Sequence, residues 1–138
     1  MERKEWPLGN ITLKFEPPDL FHCHVLRPVQ IADAEETLRI MREEVLPGVG
    51  NFYFLVHTGE LGTEAMPMET RKYFAAVKPL WNATVMIGGS KIARLAANVF
   101  MHAVIAMSPN KAPMKVVKND EEAMAFINEV RAKRARSA

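Results

Sequence analysis

The sequence predicts an α/β fold, a single domain in which a mixed, mostly parallel β-sheet of about five strands packs against about four helices. Three observations lead to this prediction. The chain has 138 residues, a length that suits one domain with a single core. Short runs with strand-like patterns alternate along it with longer segments of helical periodicity. Such alternation is typical of parallel sheets covered by helices, and two strands at the start add an antiparallel part.

Composition narrows the class of protein. Hydrophobic residues make up 49% of the chain and charged residues 25%, as in ordinary globular domains. The formal net charge of +2 is too small to indicate a polyanionic partner. The single cysteine, Cys23, excludes an internal disulfide and fits a reducing compartment. We therefore expect a cytoplasmic protein with no nucleic-acid partner, no stable membrane insertion and no cofactor.

The predicted domain covers residues 11–131. Residues 1–10 are charged and lack the apolar centre of a signal peptide, so we assign them to an N-terminal extension. Residues 132–138 form a basic C-terminal tail that we expect to fray. Basic residues at the end of a helix complement its dipole, and no aromatic stacking platform accompanies them here. This interpretation is therefore favoured over binding to nucleic acid or acidic lipid.

The first half of the chain begins with a hairpin. Residues 11–15 alternate apolar and polar side chains, residues 16–19 ("EPPD") have the chemistry of a turn, and residues 20–26 resume an extended pattern. Residues 31–46 then change to helical spacing, and the helix is expected to end at Pro47 and Gly48.

The second half alternates strands and helices. The aromatic and β-branched run "FYFLV" at residues 52–56 predicts a buried central strand. Asn119, with Glu122 three residues later, predicts the start of the final helix. The other predicted elements are a helix at residues 68–77, a strand at 83–87, a helix at 90–107 and a strand at 114–117.

Three segments match the pattern of a known family. "NFYFLVHTGE" stands where that family has its central strand, and "ATVMIGGSKIARLAANVFMHAV" where it has a strand, a glycine turn and an amphipathic helix. "MKVVKNDEEAMAFINE" stands where it ends with a strand and a helix. With the order of elements over residues 11–130, they resemble the STAS fold of the anti-sigma-factor antagonists. The likeness is greater to its SpoIIAA-like branch, which is also compared with lipid-carrying CRAL-TRIO domains.

The resemblance implies a non-enzymatic regulatory or protein-interaction domain, or alternatively a small carrier of an apolar, lipid-like molecule. The partner would be another protein or a second copy of this chain. The antagonists carry a phosphorylatable serine in the loop after the central strand, but this loop has no serine and no aspartate. Thr58 and Thr63 are the hydroxyls that could replace it. The candidate switch or interaction loop comprises His57, Thr58, Glu60, Thr63 and Glu64.

The turn Gly88-Gly89-Ser90 is a weak candidate for anion binding. A glycine-rich turn before a helix can present backbone N–H groups to an anion. The turn lacks both the Walker pattern and the dinucleotide fingerprint. We therefore favour a strand-to-helix corner in which Ser90 caps the helix.

The long helix after this turn has a broad apolar face and a thin polar face. Packing of the apolar face on the sheet is the simplest interpretation. The alternatives are the wall of a ligand pocket, a membrane surface, or an interface with a partner or a second copy. The candidate ligand-facing or interface residues are Ile92, Leu95, Ala96, Val99, Phe100 and Val104.

His22 and His24 lie two residues apart on a predicted strand, so their side chains share one face. Two imidazoles could begin a metal site, but zinc needs a third protein ligand, which His57 or His102 could supply only if folding happened to bring it near. We therefore expect exposed strand histidines and no metal. No nucleophile, base and orienting group can be assigned as a set, so we name no catalytic residue and expect no enzymatic activity.

Overall fold

One six-stranded sheet organises the protein, and each strand in it lies beside the next strand along the chain. The computed structural model describes residues 1–107 and 112–137, with only the backbone described for residues 100, 101 and 104–107. The first three strands are antiparallel, and the last three continue in parallel from the third. The strands are β1 (Lys4–Pro7), β2 (Ile11–Glu16), β3 (Leu20–Val25), β4 (Tyr53–Gly59), β5 (Thr84–Gly88) and β6 (Met114–Val117). The predicted fold class is confirmed.

The sixth strand is β1, which lies in the segment expected to be an extension. It pairs with β2, and the Trp6 ring packs edge-on against Phe21 at 5.8 Å between centroids. Lys4 also reaches the carboxylate of Glu44 at 2.6 Å. The run "KEWP" has one large apolar side chain and a proline, so it carries little strand signal of its own.

The helices follow the predicted order with two differences in length. The bounds are α1 (Ile31–Ile40), a π-helical segment (Met41–Val45), α2 (Leu46–Val49), α3 (Met68–Ala76), α4 (Lys91–Met107) and α5 (Asp120–Ser137). α1, the π-helical segment and α2 form one continuous helix, which therefore extends past Pro47 and ends at Gly50. Pro47 is tolerated because it lies in the first turn after the π-helical segment. Residues 132–137, expected to fray, belong to α5.

The two faces of the sheet are covered unequally. α1 and α3 cover one face with an aromatic core that includes Phe21, Phe54 and Trp81. α5 covers the other face over β4 to β6, and Leu20 at the start of β3 is buried in the same cluster as Ile127. The rest of that face, formed by β2 and the remainder of β3, has no helix packed on it among the described residues. The polar side chains of these strands therefore line an open surface.

Helix α4 lies against the free edge of β6 through an amide side chain. The Asn98 Nδ2 group donates to the Val116 carbonyl at 3.1 Å, and the Val116 N–H donates to Asn98 Oδ1 at 2.8 Å. The amide thus replaces the ladder partner that a seventh strand would supply, and an unpaired edge is avoided. Ser90 caps the helix as predicted, because its Oγ accepts from the Ala93 N–H at 3.1 Å.

Candidate functional site

Three histidines meet on the open part of the sheet. His22 and His24 are on β3 and project to the same face, as their spacing predicts. Strand β4 runs parallel to β3, and its register places His57 directly beside His24. One ring nitrogen from each histidine can be chosen so that all three lie within 4.8 Å of one another. The sheet register therefore brings together residues that are 35 positions apart.

Hydrogen bonds link two of these rings to each other and to a carboxylate. His22 Nδ1 lies 2.8 Å from His57 Nε2, and His22 Nε2 lies 3.0 Å from Glu16 Oε1. Because a carboxylate only accepts, His22 must carry its proton on Nε2. In the neutral ring His22 Nδ1 is then an acceptor, so His57 Nε2–H is the donor. The other ring nitrogen of His57, Nδ1, lies 3.8 Å from Asp120 Oδ1.

The third ring stacks on the second. His24 and His57 are nearly parallel, with 7° between planes and 4.2 Å between centroids. Burial, with the nearby His24 and His22 adding to it, lowers the pKa of His57 to about 4. Burial, together with the cation of Lys14, also lowers the pKa of His24. Both rings are therefore neutral near pH 7, with lone pairs free to accept a proton or bind a metal.

The histidines lie in a groove of about 550 Å³. Its floor is apolar, with Leu20 and Leu55 among the lining residues, and its rim carries both signs of charge. The charged lining residues are Arg3, Lys4, Glu5, Lys14, Glu16 and Asp120. The groove can therefore admit a small polar solute to the histidines.

The sequence predicted the shared face of His22 and His24 but not this cluster. His57 was named as a third ligand only if folding happened to bring it near, and the structure places it there. The fourth histidine, His102, is an exposed residue of α4. Glu16 and Asp120 were missed, since a carboxylate at a strand end or in the first turn of a helix is common and gives no separate signal.

The predicted loop residues do not form one surface. His57 and Thr58 both belong to β4 and project to opposite faces. Thr58 is only 3% exposed, and its hydroxyl donates to the Ile87 carbonyl at 2.9 Å. Thr63, Glu60 and Glu64 are exposed. Thr63 is therefore the more accessible of the two hydroxyls considered for a phospho-switch.

The glycine turn is held as a corner by its own contacts. Gly88 and Gly89 both have positive φ, at 131° and 82°. The Gly89 carbonyl accepts a hydrogen bond from the Arg94 guanidinium, and Ser90 caps α4. These contacts agree with the strand-to-helix corner favoured from the sequence, and no feature of the described turn indicates an anion.

Helix α4 exposes large apolar side chains in its first half. Ile92 is 81% exposed, Leu95 60% and Val99 74%, and Ala96 is exposed beside them. The simplest expectation, that this face packs on the sheet, is wrong for these residues. Asn98 stabilises the opposite orientation because it bonds the edge strand β6, while Arg94 bonds the Gly89 carbonyl in the turn before the helix. The side chains of the other two candidates, Phe100 and Val104, lie outside the described residues.

Comparison with known proteins gives no family. No protein-family model matches the chain, and neither a curated protein nor a solved structure matches it. The STAS-like resemblance therefore stays a prediction. Within the described ranges, none of the helices combines the length and the apolar character that crossing a bilayer requires.

Proposed function

We propose that the protein is a non-enzymatic interaction domain, STAS-like in character and cytoplasmic, that associates through the outer face of α4 with a second copy of itself. The carrying observation is the orientation of that helix. Its large apolar residues Ile92, Leu95 and Val99 face outward, while Asn98 bonds the edge of β6. A contiguous exposed apolar surface is typical of a contact site.

The spacing of these residues supports a helix as the occupant. Ile92, Leu95 and Val99 are separated by three and four residues, the pattern of a seam between two packed helices. Ala96 beside the seam is small and allows the helix axes to approach closely.

The charges of α4 support a second copy in antiparallel orientation. Helix α4 contains Lys91 and Arg94 near its start, and its sequence has no acidic residue. A parallel pair would place the two cationic starts side by side, where they repel, whereas an antiparallel pair separates them. A symmetric contact of this kind closes on itself and produces a dimer, the most common form of homo-oligomer.

The expected affinity is modest. Complete burial of a large aliphatic side chain contributes about 1.5–3 kcal/mol, and the symmetric contact covers the same three residues twice. The gross gain is therefore on the order of 10 kcal/mol. Association itself costs at least about 4 kcal/mol, which leaves a net gain of about 6 kcal/mol at most, so a dissociation constant of tens of micromolar or weaker is expected.

Sedimentation velocity over a concentration series tests this proposal. We expect the mass of the wild type to rise from 15.6 kDa toward twice that value between about 1 and 500 µM. Leu95→Glu should remain monomeric, because dimerisation would bury a carboxylate without a partner. Leu26→Glu is the matched control, since Leu26 is 63% exposed in the turn after β3 and lies away from α4.

Other results would reject the second copy as the occupant. A wild type that stays monomeric throughout the series contradicts the proposal, as does dimerisation that Leu95→Glu leaves unchanged. A monomer that co-sediments with phospholipid vesicles through Leu95 would assign the face to a membrane surface. A bound apolar molecule in native mass spectra, lost in Leu95→Glu, would support the carrier alternative instead.

A further inference from the structure

We propose that His22, His24 and His57 bind one divalent transition-metal ion, with Zn²⁺ as the first candidate, and that the fourth coordination position opens into the adjoining groove. The site lies on the β3–β4 face and shares no residue with the outer face of α4. The inference is therefore independent of the proposed dimer. Three imidazoles with one open position form a known zinc ligand set.

Two of the three rings already aim nitrogens at a common point. His22 Nδ1 and His57 Nε2 face each other at 2.8 Å with a single proton between them. Two nitrogens bound tetrahedrally to one zinc lie about 3.3 Å apart, since each Zn–N bond is about 2.0–2.1 Å. One ring must therefore move outward by about 0.5 Å and also turn, so that both lone pairs point at the ion that replaces the shared proton.

Each of these two rings has a carboxylate beside its other nitrogen: Glu16 beside His22 and Asp120 beside His57. Glu16 accepts from His22 Nε2–H at 3.0 Å, which fixes the tautomer that leaves Nδ1 free for the metal. When the metal takes His57 Nε2, the ring proton moves to Nδ1, which lies 3.8 Å from Asp120 Oδ1 and can donate to it after a small approach of the exposed Asp120 side chain. A metal-bound histidine that donates its other N–H to a carboxylate is the usual arrangement in metal sites.

His24 supplies the third ligand after a change in ring orientation. Its ring is stacked on His57, so its lone pair does not point at the position between His22 and His57. Rotation about the Cβ–Cγ bond swings the ring out of the stack, and the groove of about 550 Å³ provides room for this movement. The same groove gives solvent and a small fourth ligand access to the ion.

Titration of untagged, chelator-stripped protein with Zn²⁺ by calorimetry, and with Co²⁺ by visible absorption, tests the site. We expect one ion per chain and a Co²⁺ spectrum of four-coordinate type. His57→Ala should weaken binding at least about 100-fold. Glu16→Gln should weaken it about 10- to 100-fold without removing a ligand. His102→Ala is the matched control and should bind as the wild type does, because His102 lies on α4.

NMR of the ring nitrogens gives a test that needs no variant. Addition of Zn²⁺ to the wild type should shift the signals of His22, His24 and His57 and leave those of His102 unchanged. His57 should change from the Nε2–H to the Nδ1–H tautomer. Absence of binding, binding that His57→Ala leaves unchanged, or a shift of the His102 signals with no shift of the other three would each overturn the proposal.

Discussion

Replacement of Gly88 with alanine is predicted to destabilise the corner between β5 and α4. A Cβ atom at this position would lie 2.2 Å from Thr58 Oγ1, far inside the contact distance. Thr58 is buried and its hydroxyl is bonded to the Ile87 carbonyl, so it cannot move aside without losing that bond. The φ angle of 131° is also one that side-chain-bearing residues rarely adopt.

The magnitude follows from these separate costs. The unfavourable backbone conformation costs about 1–3 kcal/mol. The overpacked contact costs about 1–3 kcal/mol, and loss of the Thr58 hydrogen bond adds about 1 kcal/mol if the side chain rotates. A total near 4 kcal/mol is expected. Gly89→Ala is the matched control, because φ is 82° but the nearest atom to its Cβ, on Gly62, lies 3.9 Å away. It should cost only the backbone part.

Urea unfolding followed by tryptophan fluorescence measures both variants, since Trp81 is buried in the core beside β4. With a slope of about 1–3 kcal/mol per molar urea, the midpoints of the two variants should differ by about 1 M or more. In a Thr58→Ala background, Gly88→Ala should cost at least about 1 kcal/mol less than in the wild type. Equal costs for Gly88→Ala and Gly89→Ala, or strict additivity with Thr58→Ala, would refute the steric argument.

Two further predictions concern the edge of the sheet and the buried thiol. Asn98→Ala should lower the free energy of unfolding by about 1–3 kcal/mol, because the backbone N–H and carbonyl of Val116 both lose their hydrogen-bond partner. Asn128→Ala is its control, since that side chain only accepts from Arg131 on the surface, and equal effects in urea unfolding would contradict the pairing. Burial raises the pKa of Cys23 to about 12, so a thiol-specific disulfide reagent at pH 8 should label it only after unfolding. Rapid labelling of the folded protein would show that β3 opens readily.

The fold was predictable because the hydrophobic pattern of each segment and its periodicity identify most of the helices and strands. The helices were recognised from their spacing, and the parallel strands from continuous apolar runs, as in "FYFLV" at residues 52–56. The strand β1 was not, because its stability depends on Trp6 packing against Phe21, a contact between residues distant in sequence. The passage of the first helix through Pro47 likewise depended on a π-helical segment that has no sequence signature.

Helix α4 shows a different limit of sequence interpretation. Periodicity identified its apolar face correctly, since Ile92, Leu95 and Val99 do lie on one side. Periodicity could not decide whether that side faces inward, because the orientation of a helix also depends on its contacts with residues elsewhere in the fold. At the edge of β6, the N–H and the carbonyl of Val116 need hydrogen-bond partners, and the amide of Asn98 pairs with both groups. These bonds stabilise the orientation in which Ile92, Leu95 and Val99 face outward.

The polar pattern of the strands explains where the histidine cluster lies. In β2 and β3, polar and apolar residues alternate, which is typical of strands covered on one face only. Strand β4 is apolar on both faces up to Val56, as expected for a strand covered on both sides. His57 breaks that run where the cover provided by α5 begins, and Asp120 lies in the first turn of the helix. A polar residue that ends a continuous apolar strand therefore marks the boundary of the covered face. Together with "HCH" on the alternating strand, it is the sequence signal that locates the cluster once the two strands are known to be neighbours.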